Sequence, residues 1–462
     1  MAFDLAKLIA ENKGEKFTLN SKHLNSQFVN VLSIIGFRNN YSHAEGSYLY
    51  GEDGSRYLDL LSGFGVFALG RNHPVIADAL RQALDLRLPN LVQMDVSLLA
   101  GVLAERLLPR LPGMEKMFFC NSGTEAVEAA IKFARNATGR DKIVHCSHSF
   151  HGLTLGSLSL NGDEIFRKGF GPLLPDCAAV PFNDLGALEA ALRGGTVAAF
   201  IVEPIQGKGV NIPDDEYLPE AARLCRKYGT LFVADEIQTG IGRTGRFLAL
   251  EHWGVEPDMV LLAKALSGGY VPVGAVACRK WVFDKVFDRM DRSVVHGSTF
   301  GKNDLAMVAG LATLAVLDEE KLVERAATVG AQILSDLQHF VGRYEFVKEV
   351  RGKGLMIGVE FGQAKSFTLR TAWSLLEAAN KGLFCQMITI PLYQRHRIIC
   401  QVAGHGLHVV KLIPPLCLGE EDRVWIRAAF EDVIADCHKV PGSVWELAKS
   451  LAGSALKTKA GG

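Results

Sequence analysis

Lys264, Asp235 and the turn Asn121-Ser122-Gly123-Thr124 each follow a short apolar run, and between them they could bind a phosphate and activate an amine. The turn opens a stretch in which Val127, Ala130, Ile131 and Ala134 recur at i, i+3, i+4 and i+7, the spacing of one helix face. Free backbone N–H groups, hydroxyls and the positive end of a helix dipole together make an anion site. Ser122 and Glu125 also fit an S-x-x-E capping box, so plain capping competes with that reading. The glycine and the flanking hydroxyls are more than a cap needs. Asp235 is either a structural carboxylate or a group that holds a charged partner. Lys264 is by default a solvated lysine, but a lysine desolvated beside other charges becomes a Schiff-base nucleophile. Phosphate cradle, acid and lysine are what a pyridoxal 5'-phosphate site must supply.

The elements that must position these residues are parallel strands. Runs at Met117 to Phe119, Ile143 to His145, Ala198 to Val202, Leu231 to Ala234 and Met259 to Leu262 are short, and several are apolar on both faces. Each leads into polar residues at its carboxyl end, where open α/β sheets bind ligands. Helical periodicity over Pro74 to Leu88 and Ser97 to Leu111 completes an α/β pattern of helices on both faces of a mostly parallel sheet. After His296 the texture changes. A long helical pattern from Leu305 to about Gly342 precedes strands around Phe346 to Arg351, Leu355 to Phe361 and His408 to Leu412, which predicts a smaller α+β domain. The expected organisation is a 1–75 N-terminal segment packing with the small domain, a 76–315 large cofactor domain and a 316–462 small C-terminal domain. A hairpin is predicted at Leu49 to Leu58, turning through Asp53-Gly54.

Composition narrows the partners. Fifty Lys+Arg balance fifty Asp+Glu among 462 residues, and 48% of the chain is hydrophobic, which sets aside a general nucleic-acid or anionic-membrane binder. Nine cysteines are scattered without Cys-x-x-Cys or zinc spacing, so no metal is expected and the thiols read as free in a reducing compartment. The N-terminus lacks a secretion pattern, and a cytoplasmic location is expected. Lys457 to Gly462 reads as a frayed tail.

Gly240-Ile241-Gly242-Arg243-Thr244-Gly245 matches the dinucleotide fingerprint G-x-G-x-x-G, but five residues separate the end of the preceding strand at Ala234 from Gly240, and no ribose-binding acid follows at the required distance. An NAD-dependent dehydrogenase is therefore a minor alternative.

Seven runs in order are shared with a known family: Asn121-Ser122-Gly123-Thr124-Glu125-Ala126, Phe150-His151-Gly152, Glu203-Pro204-Ile205-Gln206-Gly207, Asp235-Glu236-Ile237-Gln238-Thr239-Gly240, Gly242-Arg243-Thr244-Gly245, Leu262-Ala263-Lys264-Ala265-Leu266 and His296-Gly297-Ser298-Thr299-Phe300-Gly301. From about Tyr48 to Pro415 the chain resembles the class III aminotransferases of the ornithine, acetylornithine and putrescine group. That resemblance implies a fold-type I pyridoxal 5'-phosphate transferase working by ping-pong amino transfer. It implies that Lys264 carries the cofactor, Asp235 pairs with its ring nitrogen and Gln238 bonds its phenolic oxygen. Ser122, Gly123 and Thr124 would hold the phosphate and Phe150 would stack on the ring, with His151 and Glu203 completing the cofactor site. Ser298 and Thr299 would reach the neighbouring site of a homodimer. An aminomutase or racemase on the same cofactor shares these motifs, and a non-catalytic protein keeping the fold is the third reading.

Departures from the family speak to substrate. Where relatives that grip an α-carboxylate carry arginine after Phe-x-Gly, this chain has Leu153, an apolar wall without a bidentate fork. The family's glutamate after Glu-Pro-Ile-Gln-Gly and its arginine before Pro-Pro-Leu are here Lys208 and Lys411. Either lysine could still hold a carboxylate as a point charge. The apolar segment Leu383 to Gly406 is either small-domain core or a lid over a lipophilic chain, joined by Phe64 and Phe67. An amine or carbonyl substrate with an aliphatic body and no α-carboxylate is expected.

Overall fold

The computed structural model describes residues 3–447 and 451, apart from 93, 380 and 443. The tail expected from Lys457 onward lies outside the described residues.

A seven-stranded sheet organises the centre. Its spatial order is Lys116–Cys120, Gly274–Cys278, Met259–Leu262, Leu231–Asp235, Val197–Val202, Lys142–Cys146 and Cys177–Val180. Only Gly274–Cys278 runs against its neighbours. Every residue of Val197–Val202, Leu231–Asp235 and Met259–Leu262 is buried, because helices cover both faces. Each fully buried Val, Ile or Phe there contributes about 1.5–3 kcal/mol of transfer free energy. All five expected strands are present. The strands Gly274–Cys278 and Cys177–Val180 are additions to that reading.

Helix Gly123–Thr138 lies on one face with Val127, Ala130, Ile131 and Ala134 buried, and Phe133 packs edge-on against Phe283 and Phe287. The helix starts at Ser122, whose hydroxyl accepts the Glu125 N–H, and stops at Gly139 in the left-handed region, φ 65°. Glu125 itself accepts from the Asn121 N–H at 2.8 Å, one residue earlier than a capping box would place it.

The remaining sheets are four-stranded. Tyr41–Glu45, Tyr48–Gly51 and Arg56–Asp59 are antiparallel, and Ile398–Ile399 adds to Arg56–Asp59 in parallel, tying the N-terminal hairpin to a distant part of the chain. Val347–Lys353, Met356–Phe361, Val409–Leu412 and Gln401–Val402 form an antiparallel sheet. The long helical pattern after Leu305 is two helices, Asp304–Glu319 and Leu322–Gln338, because Lys321 takes φ 51° and breaks the run. The lid reading fails over most of its length. Leu383–His396 is a helix whose Phe384, Met387, Ile388, Ile390 and Leu392 are fully buried in the main core.

The glycine fingerprint also resolves. No helix follows Gly240 to Gly245; the next element is a 3-10 turn at Ala249–His252. A Cβ on Gly245 would lie 2.8 Å from Ala327 Cα, and one on Gly242 would lie 3.1 Å from Leu416 Cδ1. These glycines serve close packing against helix Leu322–Gln338 rather than a pyrophosphate, so the dehydrogenase alternative is overturned.

Candidate active site

Because the strands run side by side, their carboxyl ends deliver Asn121 to Thr124, Phe150 to Gly152, Glu203, Asp235 and Lys264 to one place. There they border a cavity of about 780 Å³. Ser122, Gly123, Thr124, Phe150, His151, Glu203, Asp235, Gln238 and Lys264 all face it, as do Phe64, Leu153, Lys208 and Lys411.

Lys264 opens a 3-10 turn with φ 45°, a backbone conformation that a non-glycine residue adopts only at a cost of order 1–3 kcal/mol. Among the described residues no hydrogen bond or close ion pair holds its Nζ. Burial foremost pushes its pKa below the ordinary lysine value, against the charges of Asp235 and Glu203, which raise it. Asp235 is buried, accepts the Ile237 N–H on Oδ1 at 3.1 Å and receives the His151 Nδ1–H on Oδ2 at 2.6 Å. Burial works against the imidazolium of His151, yet the bond to Asp235 and its charge prevail and raise the pKa. His151 is thus placed behind Asp235, as its positioning partner.

Glu203 is a brace. Its carboxylate accepts the Phe150 N–H at 2.9 Å and the Gly207 N–H at 2.7 Å, and burial foremost raises its pKa. Gln238 donates from Nε2 to the Phe64 carbonyl at 3.0 Å. Phe64 is half exposed with φ 61°, whereas Phe67 does not face the cavity and packs under the Arg71 guanidinium.

The two replaced positions behave differently. Lys208 Nζ donates to Asp163 Oδ2 at 2.8 Å and to Asn161 Oδ1 at 3.1 Å, so its charge is already matched. Lys411 Nζ donates to the Gly207 carbonyl at 2.8 Å and to Gln238 Oε1 at 3.3 Å, with no carboxylate in contact. Burial and then the nearby Lys264 charge push its pKa down to about 7. No arginine faces the cavity among the described residues.

These residues fit pyridoxal 5'-phosphate. Among the described residues the backbone N–H groups of Gly123 and Thr124 have no partner, while the Thr124 hydroxyl is shared with Thr154 and Ser157. A Cβ on Gly123 would press to 2.9 Å of Ile237 Cγ2, so glycine keeps the phosphate turn close to the Asp235 strand end. Carboxylate oxygens accept more than one hydrogen bond, leaving Asp235 capacity for a ring nitrogen. Ser298 and Thr299 lie off the cavity: Ser298 Oγ accepts from Asn121 Nδ2 at 2.5 Å, and Thr299 is exposed. The segment offered as a lid does reach the cavity at Gln401 to Gly404, whereas sequence reasoning missed Val66, Phe166 and Tyr270, which also border it. They lie in loops or short elements whose local pattern carries no period.

Comparison with known proteins identifies the family. The family model described as aminotransferase class-III matches residues 36–434. The ornithine aminotransferase of Bacillus cereus is 39% identical over 404 residues, covering 85% of this chain and 93% of that protein. The aminotransferase PigE of a Serratia species is 36% identical over 461 residues, covering 92% of this chain and 54% of that protein, so the chain spans about half the length of PigE. Among solved structures, the omega transaminase from Pseudomonas jessenii in complex with PMP superposes with a TM-score of 0.78 at 28% identity, covering 86% of this chain and 92% of that one. A cavity built at the strand ends around Lys264 and Asp235 thus sits within a family-wide match, and the chain belongs to the class-III aminotransferases, which use pyridoxal 5'-phosphate.

Proposed function

We propose that the protein transfers an amino group between an amine or amino acid donor and an aldehyde or ketone acceptor, and that one of its two substrates has an aliphatic body and no carboxylate on the reacting carbon. The convergence of Lys264 and Asp235 on one cavity, beside a helix N-terminus that brings Ser122, Gly123 and Thr124 to it, carries the catalytic half of this reading. When bound, pyridoxal 5'-phosphate supplies an electron sink conjugated to the substrate nitrogen, so the adjacent C–H bond can break heterolytically. Asp235, backed by His151, would hold the proton on the ring nitrogen. Gly123 and Thr124 N–H groups would anchor the phosphate, and Phe150 would fix the ring plane. Lys264 Nζ, with its lowered pKa, is the base suited to take the proton from the amine-bearing carbon and to deliver it again as acid. Lys264→Ala should lower turnover by more than about 1000-fold and remove the borohydride-fixable attachment of the cofactor. Persistence of that attachment would assign the role to another lysine.

The substrate half rests on what the cavity lacks. Leu153 offers no fork, Lys208 is paired with Asp163, and Lys411 faces neutral acceptors with its charge disfavoured. Single half-reactions followed by cofactor absorbance should therefore be faster with simple aliphatic amines than with ornithine or acetylornithine; the reverse order would sink the assignment. A common partner such as glutamate, alanine or pyruvate would complete the cycle. The working unit we infer is a homodimer in which Thr299 serves the neighbouring site. Nine free cysteines, seven of them buried, support a reducing, cytoplasmic setting.

A further inference from the structure

Lys208 joins three pieces of chain that sequence spacing does not connect. Its ammonium is bound by Asp163 and Asn161, 45 and 47 residues away. The same ammonium stands 4.7 Å from the Phe166 ring centre and 5.2 Å from that of Phe150, within cation–π range of both. Those two rings meet edge to face, with centroids 5.8 Å apart at 78°. Gly162 fixes the base of the segment: its N–H donates to the Ser149 carbonyl at 2.9 Å, and any Cβ there would strike the His148 backbone. Phe166 is thereby held at the cavity wall next to the residue assigned to the cofactor ring.

We propose that Phe166 is a specificity-determining residue that sets how long an aliphatic substrate the cavity accepts, with Lys208 and Asp163 as the clasp that positions it. This rests on the transaminase reading above and deepens it. Lys208 spends its charge inside the protein, so the wall it supports is aromatic and apolar. An aliphatic chain packs against such a wall, and one methylene more or less in a closed apolar pocket is worth roughly tenfold in selectivity. Phe166→Ala opens the wall; Phe166→Trp narrows it.

The test uses the holoenzyme and straight-chain primary amines from propylamine to decylamine, reading half-saturating concentration and rate of each single half-reaction from cofactor absorbance. Phe166→Ala should move the preferred chain length upward, changing the long-to-short selectivity ratio by roughly tenfold, and Phe166→Trp should move it downward. Lys208→Met should flatten the profile, and Lys208→Arg should restore it. If Phe166→Ala does not fold, Phe166→Leu removes the ring edge with less disturbance. An unchanged profile in the Phe166 variants overturns the proposal. So does a Lys208→Met enzyme that keeps the amine profile and only weakens a keto-acid co-substrate, because Lys208 would then be a carboxylate ligand. Failure of the underlying reading looks different: no amine in the series converts the wild-type cofactor, and the proposal falls with it.

Discussion

Lys411 shows how one exchanged residue alters both site and stability. Its ammonium is buried against a carbonyl, an amide oxygen and the field of Lys264, with only Glu203 pulling the other way before the unfavourable Arg243. The folded pKa of about 7 lies below the ordinary 10.5 of an unfolded lysine. Below pH 7 both states carry the proton and the folded state bears the full cost of the buried charge. Between pH 7 and about 10 the unfolded chain binds more protons than the folded one, so folding stability rises with pH by roughly 1 kcal/mol per unit. In cofactor-free protein, the urea midpoint of wild type should therefore climb relative to that of Lys411→Met across this window. Parallel curves for the two proteins would show that Lys411 keeps its ordinary affinity for protons. At this scale the sequence revealed the exchange of residue type but not its consequence, because Asp163 and Gln238, the partners that separate Lys208 from Lys411, are distant along the chain.

Strand ends and loops place the chemistry, and they differ in how openly the sequence declares them. The Gly242 to Gly245 loop looked like a nucleotide cradle, yet Gly245, at φ 81°, abuts the backbone of helix Leu322–Gln338. Gly245→Ala should cost about 2–5 kcal/mol, from left-handed strain and overpacking together, seen as a lower denaturation midpoint. Unchanged stability would mean the loop has room and would reopen a ligand role. Strands such as Val197–Val202 were legible because burial on both faces demands a continuous apolar run. Gly274–Cys278 was not, since Gly-Ala-Val-Ala-Cys has weak β-propensity and is held as a strand only by pairing with Lys116–Cys120 and Met259–Leu262. The break at Lys321 carries neither glycine nor proline, so the pattern across it read as a single helix. Leu383–His396 lacks a polar face because it is buried nearly all round, which left its apolar excess open to a lid reading. The candidate residues at the strand ends were brought to one cavity as expected because a ligand site at parallel strand ends needs polar residues immediately after apolar ones, a purely local signal.

Over the whole molecule, the apolar surface is uneven in a way that bears on assembly. Met94, Met290 and Val294 are 98%, 94% and 86% exposed, and Val96, Leu98 and Phe300 accompany them. Two segments carry these residues, and reciprocal hydrogen bonds between Asn90 and Asp304 join the two segments. Thr299 stands exposed on the same stretch, one residue after Ser298 binds the Asn121 side chain at the edge of the phosphate turn. In the homodimer proposed above, a two-fold interface over these two segments would bury their exposed apolar residues, and Thr299 would serve the other copy's phosphate. Each site would then need Lys264 from one chain and Thr299 from the other. Lys264→Ala and Thr299→Asp proteins should each be nearly inactive, the second because a carboxylate would repel the phosphate. Random mixing of the two makes half the dimers heterodimers with one intact site in each, so about a quarter of the sites should recover. Native mass spectrometry would report the heterodimers and an amine half-reaction the recovered sites. Heterodimers that form without any recovered activity would show that Thr299 acts within its own chain, a fully active Thr299→Asp protein would show that it does not act at all, and monomers that retain wild-type turnover would remove the shared site altogether.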